Sequence, residues 1–218
     1  METQWKRIWR PLIIPVVLLM LLGVYWYRLK MVHELLPPPV VKQRLELLCK
    51  KNNVPFPPPS TRLVIRKADR TASLYSGEQL LKTFPIALGR DPIGPKKLAA
   101  DGKTPEGNYV ICEKIPRATF HLYLGLNYPN QADAISGFNE NRLTLRQRED
   151  ILFANKRLLQ LKTHAPAPPS TTPLGGNIGI HGGGTRNDWT KGNIALSDGN
   201  IEEIFYTLKL KSPVQILP

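Results

Sequence analysis

The stretch GIHGGGTRNDWTKGNIALSDGNIEEIF, residues 179–205, decides the fold. Its first part continues an apolar run, NIGI, that reads as a strand, and three glycines follow His181. The imidazole is thereby expected at a strand end, where a substrate backbone comes close and a histidine can act as a general base. A histidine that merely satisfies backbone groups in a turn is the competing reading. The last part reads as a capped helix. Ser197, Asp198 or Asn200 can accept from first-turn amides, and Glu202 and Glu203 favour the positive end of the helix dipole. A helix from about 200 to 210 follows, and PVQIL closes the chain as a strand.

Working outward, the residues from Thr61 form short β runs. RLVIRK and TASLYS precede a turn at Ser76-Gly77-Glu78, and QLLKTFPIALG and NYVICEKI follow. Strands at this spacing predict a mostly β domain, a compact sandwich or barrel. Residues 142–163, RLTLRQREDILFANKRLLQLKT, place Leu145, Leu152, Leu158 and Leu159 at helical spacing amid charge. They predict a helix inserted between strands, either a lid or an ornament, with APAPPSTTPLGG after it as a mobile linker.

Three stretches together resemble the L,D-transpeptidase catalytic-domain (YkuD-like) family: KTPEGNYVI at 103–111, LNYPNQAD at 126–133, and IGIHGGGTRNDWTKGNIALSDGNIEEIF. The likeness runs from about Arg62 to Leu217. It implies an L,D-transpeptidase-like β sandwich over residues 61–218, with a helical insertion at 134–176 and a C-terminal helix. It further implies attack on a tetrapeptide stem of peptidoglycan between the diamino acid and D-alanine. Acyl transfer to another stem, a lipoprotein or water would complete the cycle.

The family attacks with a cysteine in a Ser/Thr-x-Gly-Cys motif downstream of a His-Gly pair. Matched residue by residue, the histidine falls on His181, the hydroxyl on Thr190, the glycine on Gly192 and the cysteine on Asn193. A carboxamide nitrogen is delocalised into its carbonyl and is no substitute for a thiolate. Thr190, Ser197 and Cys112 are the neighbouring nucleophile types, and none aligns with the attacking position. Gly192 and the Asn193 amide remain candidates for an oxyanion hole. Trp189, Lys191 and Tyr128 are candidate peptide contacts, with packing under the loop the alternative for Trp189 and a solvated side chain the alternative for Lys191. Two functions stand side by side: an acyltransferase-type enzyme, and a catalytically inactive wall-binding or scaffold module that keeps the fold.

The N-terminal segment gives the chain its location. PLIIPVVLLMLLGVYWY, residues 11–27, carries no charge, is flanked by Lys6, Arg7, Arg10, Arg28 and Lys30, and has Trp and Tyr at both ends. Residues 1–30 therefore read as one N-terminal transmembrane helix, an uncleaved signal anchor, with a cleaved signal peptide the alternative. This predicts a single-pass protein of the inner (cytoplasmic) membrane whose domain lies in the periplasm or outside the cell. Residues 31–60 hold two proline blocks around VVKQRLELLCKKNN and read as a stiff stalk carrying one short helix, with Val41, Leu45 and Leu48 at helical spacing.

The net charge is +13, and beyond residue 30 the chain still has 25 Lys and Arg against 16 Asp and Glu. That balance suits an anionic wall. The charges are scattered, with no aromatic-basic module or helix-turn-helix pattern, so nucleic acid is not an expected partner. Cys49 and Cys112 lack metal-ligand spacing; a disulfide and two separate thiols both remain open. The loop LGRDPIGPKKLAADGKTPEGNYV has no phosphate-loop pattern. No metal and no cofactor is called for.

Overall fold

The computed structural model describes residues 15–29, 36–161 and 167–218. The chain divides into two units, Met1–Pro37 and Pro38–Pro218. In the first, residues 15–29 form an exposed helix, α1. Among the described residues no helix is long and apolar enough to cross a membrane. Residues 1–14 and residue 30 of the predicted anchor lie outside the described residues.

The second unit contains α2 (Pro39–Lys51), β1 (Thr61–Arg66), β2 (Thr71–Ser76), β3 (Gln79–Pro85), β4 (Gly107–Ala118) and β5 (His121–Leu126). There follow α3 (Gln131–Asn139), α4 (Leu145–Gln160), β6 (Gly179–His181), β7 (Ile194–Ala195), α5 (Asp198–Thr207) and β8 (Pro213–Leu217). The strands form one sheet in the order β3-β2-β1-β8-β4-β5-β6-β7. Of the two expected forms, the mostly β domain stands and the two-sheet sandwich is corrected to a single curled sheet, nearer the barrel alternative. The physical reason lies in β4, whose residues 107–110 pair with β8 while its later residues pair with β5. Register shifts after Ile111 and Ile115 bend the strand at the change of partner. At the sheet's ends, Ala87 beyond β3 bridges Ala195 of β7, and Gly89 bridges Thr190.

Strand alternation puts Leu63, Ile65, Ala72, Leu74, Ile111, Leu122, Leu124, Ile180, Val214 and Ile216 into one core. Helix α5 lays Ile201, Ile204 and Phe205 on that core, all fully buried. It begins at Ser197, whose side chain makes no cap bond. Its backbone carbonyl accepts from Asn200 and Ile201 instead.

The short helix expected within residues 31–60 is present as α2, and it packs on the compact unit. Val41, Leu45 and Cys49 are buried, and Arg44 pairs with Glu202 of α5 and donates to the Gly199 carbonyl. Leu48 packs at the edge of the core, and the helix belongs to the compact unit. Cys49 and Cys112 are both buried and free.

The inserted helix begins where the sequence places it, at Thr144, with a reciprocal capping box to Gln147. Its inner face is Ile151, Asn155 and Leu158, whereas Leu145 and Leu159 are more than half exposed. The leucine repeat is therefore split between faces: Leu158 is buried and Leu152 packs against the core, while Leu145 and Leu159 point outward, because β4 and the Asn127–Asn155 hydrogen bond claim the inner face. A second helix, α3, precedes it, capped by a reciprocal Asn130–Asp133 box. The predicted mobile linker is docked in its described part. Leu174 is buried against Gly137, and the Pro173 carbonyl accepts from Ala99. Residues 162–166 lie outside the described residues.

Candidate active site

Strand β6 runs between β5 and β7 and delivers His181 opposite Tyr123 and Ala195. Gly179, at its start, has no room for a side chain, since a Cβ would come within 2.4 Å of the Tyr123 ring. The glycines after His181 are tied into the protein's own hydrogen bonding. Gly182 donates to the Phe120 carbonyl, Gly183 to Asp198 Oδ1 and Gly184 to the Leu196 carbonyl. A Cβ at Gly182 would lie 2.4 Å from Asp198 Oδ1. Asp198, in the first turn of α5, thus anchors the loop through a side chain the sequence reading had offered as a cap.

The imidazole of His181 is 2% exposed. Its Nδ1 lies 2.7 Å from the Gly182 carbonyl, which only accepts, so Nδ1 carries the hydrogen and Nε2 the lone pair. Phe120 stacks on the ring at 4.9 Å, and Trp189 meets it edge-on at 5.5 Å. Burial among these rings lowers the imidazole's pKa, and the Gly182 bond opposes the shift. A neutral base with a fixed tautomer is the form that can accept a proton.

The loop from Trp189 to Asn193 is held by hydrogen bonds. Thr190 Oγ1 donates to the Asn193 carbonyl at 2.7 Å and accepts from Gly192 N–H at 3.1 Å. Its hydroxyl is fully committed to that turn. Gly192 has φ +123°, and a Cβ there would sit 2.6 Å from the Lys103 carbonyl, so glycine alone fits. The side chain of Asn193 accepts from Gly179 N–H at 3.1 Å through Oδ1.

His181 and Asn193 line one cleft together with Glu113, Ile115, Arg117, Ala118, Thr119, Phe120, Tyr123 and Asn177. Two sequence expectations thus meet here. Trp189 borders the imidazole and donates through Nε1 to the Gly184 carbonyl, as a packing residue under the loop would. Lys191 is exposed and does not line the cleft.

Tyr128 is corrected outright. It is 1% exposed, its hydroxyl donates to the Leu174 carbonyl, and it belongs to the core rather than to a peptide-binding surface. Among the other nucleophile types, Ser197 is exposed at the N-cap of α5, outside the cleft lining. Cys112 packs against Leu158, and burial, helped by Glu113, pushes its thiol up to about 12. No described residue of α4 lines the cleft, so the lid alternative has no contact behind it.

The residues that sequence reasoning missed come from the β4–β5 hairpin. Phe120, Thr119 and Arg117 sit at or beside its turn, and Tyr123 and Glu113 on its strands. The hairpin's two-residue turn at Thr119 and Phe120 was the available signal, but nothing local points it at His181. Among the described residues no group of His, Cys, Asp and Glu is placed to hold a metal.

Comparison with known proteins defines the class. The model of the L,D-transpeptidase catalytic domain (YkuD) matches residues 60–216, and the chain belongs to that family. Among solved structures, Bd1075 of Bdellovibrio bacteriovorus is similar at 22% identity and TM-score 0.46, over 73% of this chain and 48% of that one. The helical cell shape determining protein Pgp2 of Campylobacter jejuni is similar at 21% identity and TM-score 0.46, over 72% and 47%. An L,D-transpeptidase from Mycobacterium smegmatis aligns at 12% identity and TM-score 0.40, over 73% and 59%. The chain spans about half the length of the first two. A search of curated protein sequences returned no match.

Proposed function

We propose that this domain binds peptidoglycan stem peptides in the His181–Asn193 cleft and does not turn them over by the cysteine route of its family. The observation that carries the reading is Asn193. It stands at the position matched to the attacking cysteine, lines the cleft, and is tied by Oδ1 to Gly179 N–H. The base beside it is retained while the nucleophile is not, and removing a nucleophile leaves only the small rate that binding and an oxyanion hole provide. Thr190 spends its hydroxyl in the loop and Cys112 is buried elsewhere, so neither supplies a replacement.

In this reading the protein is a wall-binding or scaffold module, held at the inner membrane by the apolar segment of residues 11–27, with the domain outside the cytoplasm. The basic balance of the chain favours the anionic wall as its surroundings. One observation favours a second reading, acyl transfer or hydrolysis at the tetrapeptide stem. The Nε2 lone pair of His181 is free to activate water.

Incubation with tetrapeptide muropeptides decides between the two by D-alanine release. The binding reading expects peptide association without release. Turnover that disappears in His181→Ala would sink it and establish the second.

A further inference from the structure

The asparagine changes what the cleft presents to a ligand. A backbone N–H only donates, so the atom of Asn193 facing Gly179 is the oxygen and the NH2 group turns the other way. Among the described residues that NH2 makes no hydrogen bond, and the residue lines the cleft. Beside it, the Gly182 carbonyl holds the hydrogen of His181 on Nδ1, leaving a lone pair on Nε2. Asn193 and His181 therefore bring the cleft one donor and one acceptor between them.

We infer that this pair selects an uncleaved amide and discriminates against the free carboxylate that cleavage would leave. The inference rests on the stem-peptide reading above. A peptide amide brings a carbonyl that accepts from the Asn193 NH2 and an N–H that donates to His181 Nε2. A carboxylate brings acceptors only. It can take the Asn193 hydrogens, but it meets the imidazole lone pair with another lone pair.

Relief would require a proton on an imidazole enclosed by Phe120 and Trp189, where the charged form is poorly solvated. Of the other groups facing the cleft, Glu113 adds a like charge, Arg117 an opposite one, and the Tyr123 phenol stays protonated because burial, Cys112 and Glu113 all raise it. A site whose polar groups are matched to one end group rejects the mismatched one, because the mismatch leaves a buried group unpaired. The cleft of a cleaving enzyme must release its carboxylate product; this one is built to hold the intact bond.

The test is calorimetric titration of the full chain in detergent micelles with three peptides. They are the tetrapeptide stem ending in D-alanine, the tripeptide ending in the diamino acid carboxylate, and that tripeptide as its C-terminal amide. The tetrapeptide and the amide are expected to bind about tenfold or more tighter than the acid. Asn193→Asp keeps an acceptor for Gly179 N–H but presents no N–H to the ligand, and Asn193→Ala removes both. Each is expected to weaken tetrapeptide binding about tenfold. An acid that binds as tightly as its amide, or unchanged tetrapeptide affinity in both variants, overturns the inference while the stem-peptide reading stands. Failure of all three peptides to bind overturns both.

Discussion

At position 193, which the family resemblance matches to the attacking cysteine, a carboxamide lines the cleft. Asn193→Cys restores a thiol in the cleft that His181 lines, and a carbapenem is expected to acylate it, read as one covalent mass adduct per chain. A correctly folded variant that stays unreactive would show that the cleft no longer positions an acyl group. A second residue sets a pH response. Burial pushes Asp133 up to about 6, against the bonds it accepts from Asn130 N–H and the Tyr109 hydroxyl. The folded state then holds a proton that the unfolded chain has released, so this contribution is full below about pH 4 and is lost as pH rises through about 6. Asp133→Asn is expected to flatten that fall, on the order of 2 kcal/mol, in denaturant melts at pH 4 and pH 7. A difference between variant and parent that does not change with pH would refute it. The sequence showed His181, Thr190, Gly192 and Asn193 because they lie within one loop of thirteen residues. It misplaced Tyr128, since proximity to a family motif does not say which way a side chain points.

For the helices, the leucine repeat of α4 straddles two faces, and its buried and exposed positions are separable. Ile151 is fully buried, so Ile151→Ala is expected to cost about 2–5 kcal/mol in chemical denaturation. Leu159→Ala, on a position more than half exposed, is expected to stay within about 0.5 kcal/mol. Equal losses would mean that Leu159 is packed as Ile151 is. The helix start was readable because the Thr144–Gln147 box is local. The face was not, because the charged and apolar positions of α4 fit two orientations, and β4 with Asn127 selects one. Helix α3 escaped the sequence reading although its Asn130–Asp133 box was present, because only nine residues follow it.

Over the whole molecule, α2 is tied to the far end of the chain through Arg44, Glu202 and Gly199. A chain begun at Pro38 is expected to melt as the full chain does. One begun at Val54 loses the burial of Val41, Leu45 and Cys49, each about 1.5–3 kcal/mol before the cost of ordering the helix. A net loss on the order of 3 kcal/mol corresponds to a drop of about 10 °C in Tm. Matching melts for the two chains would return α2 to the role of a detached spacer. The sequence by itself determined the strands from Thr61 to Ile115, the closing helix and strand, and the family. These follow from local periodicity, caps and one contiguous loop. Only the tertiary structure decided that the strands make one curled sheet, that α2 and Leu174 belong to the core, and that Phe120, Tyr123, Glu113 and Arg117 complete the cleft. Many of those pairings join segments far apart in the chain, such as Tyr128 with Leu174 and Arg44 with Glu202. They depend on which buried surfaces fit together, a property that no short window of sequence contains.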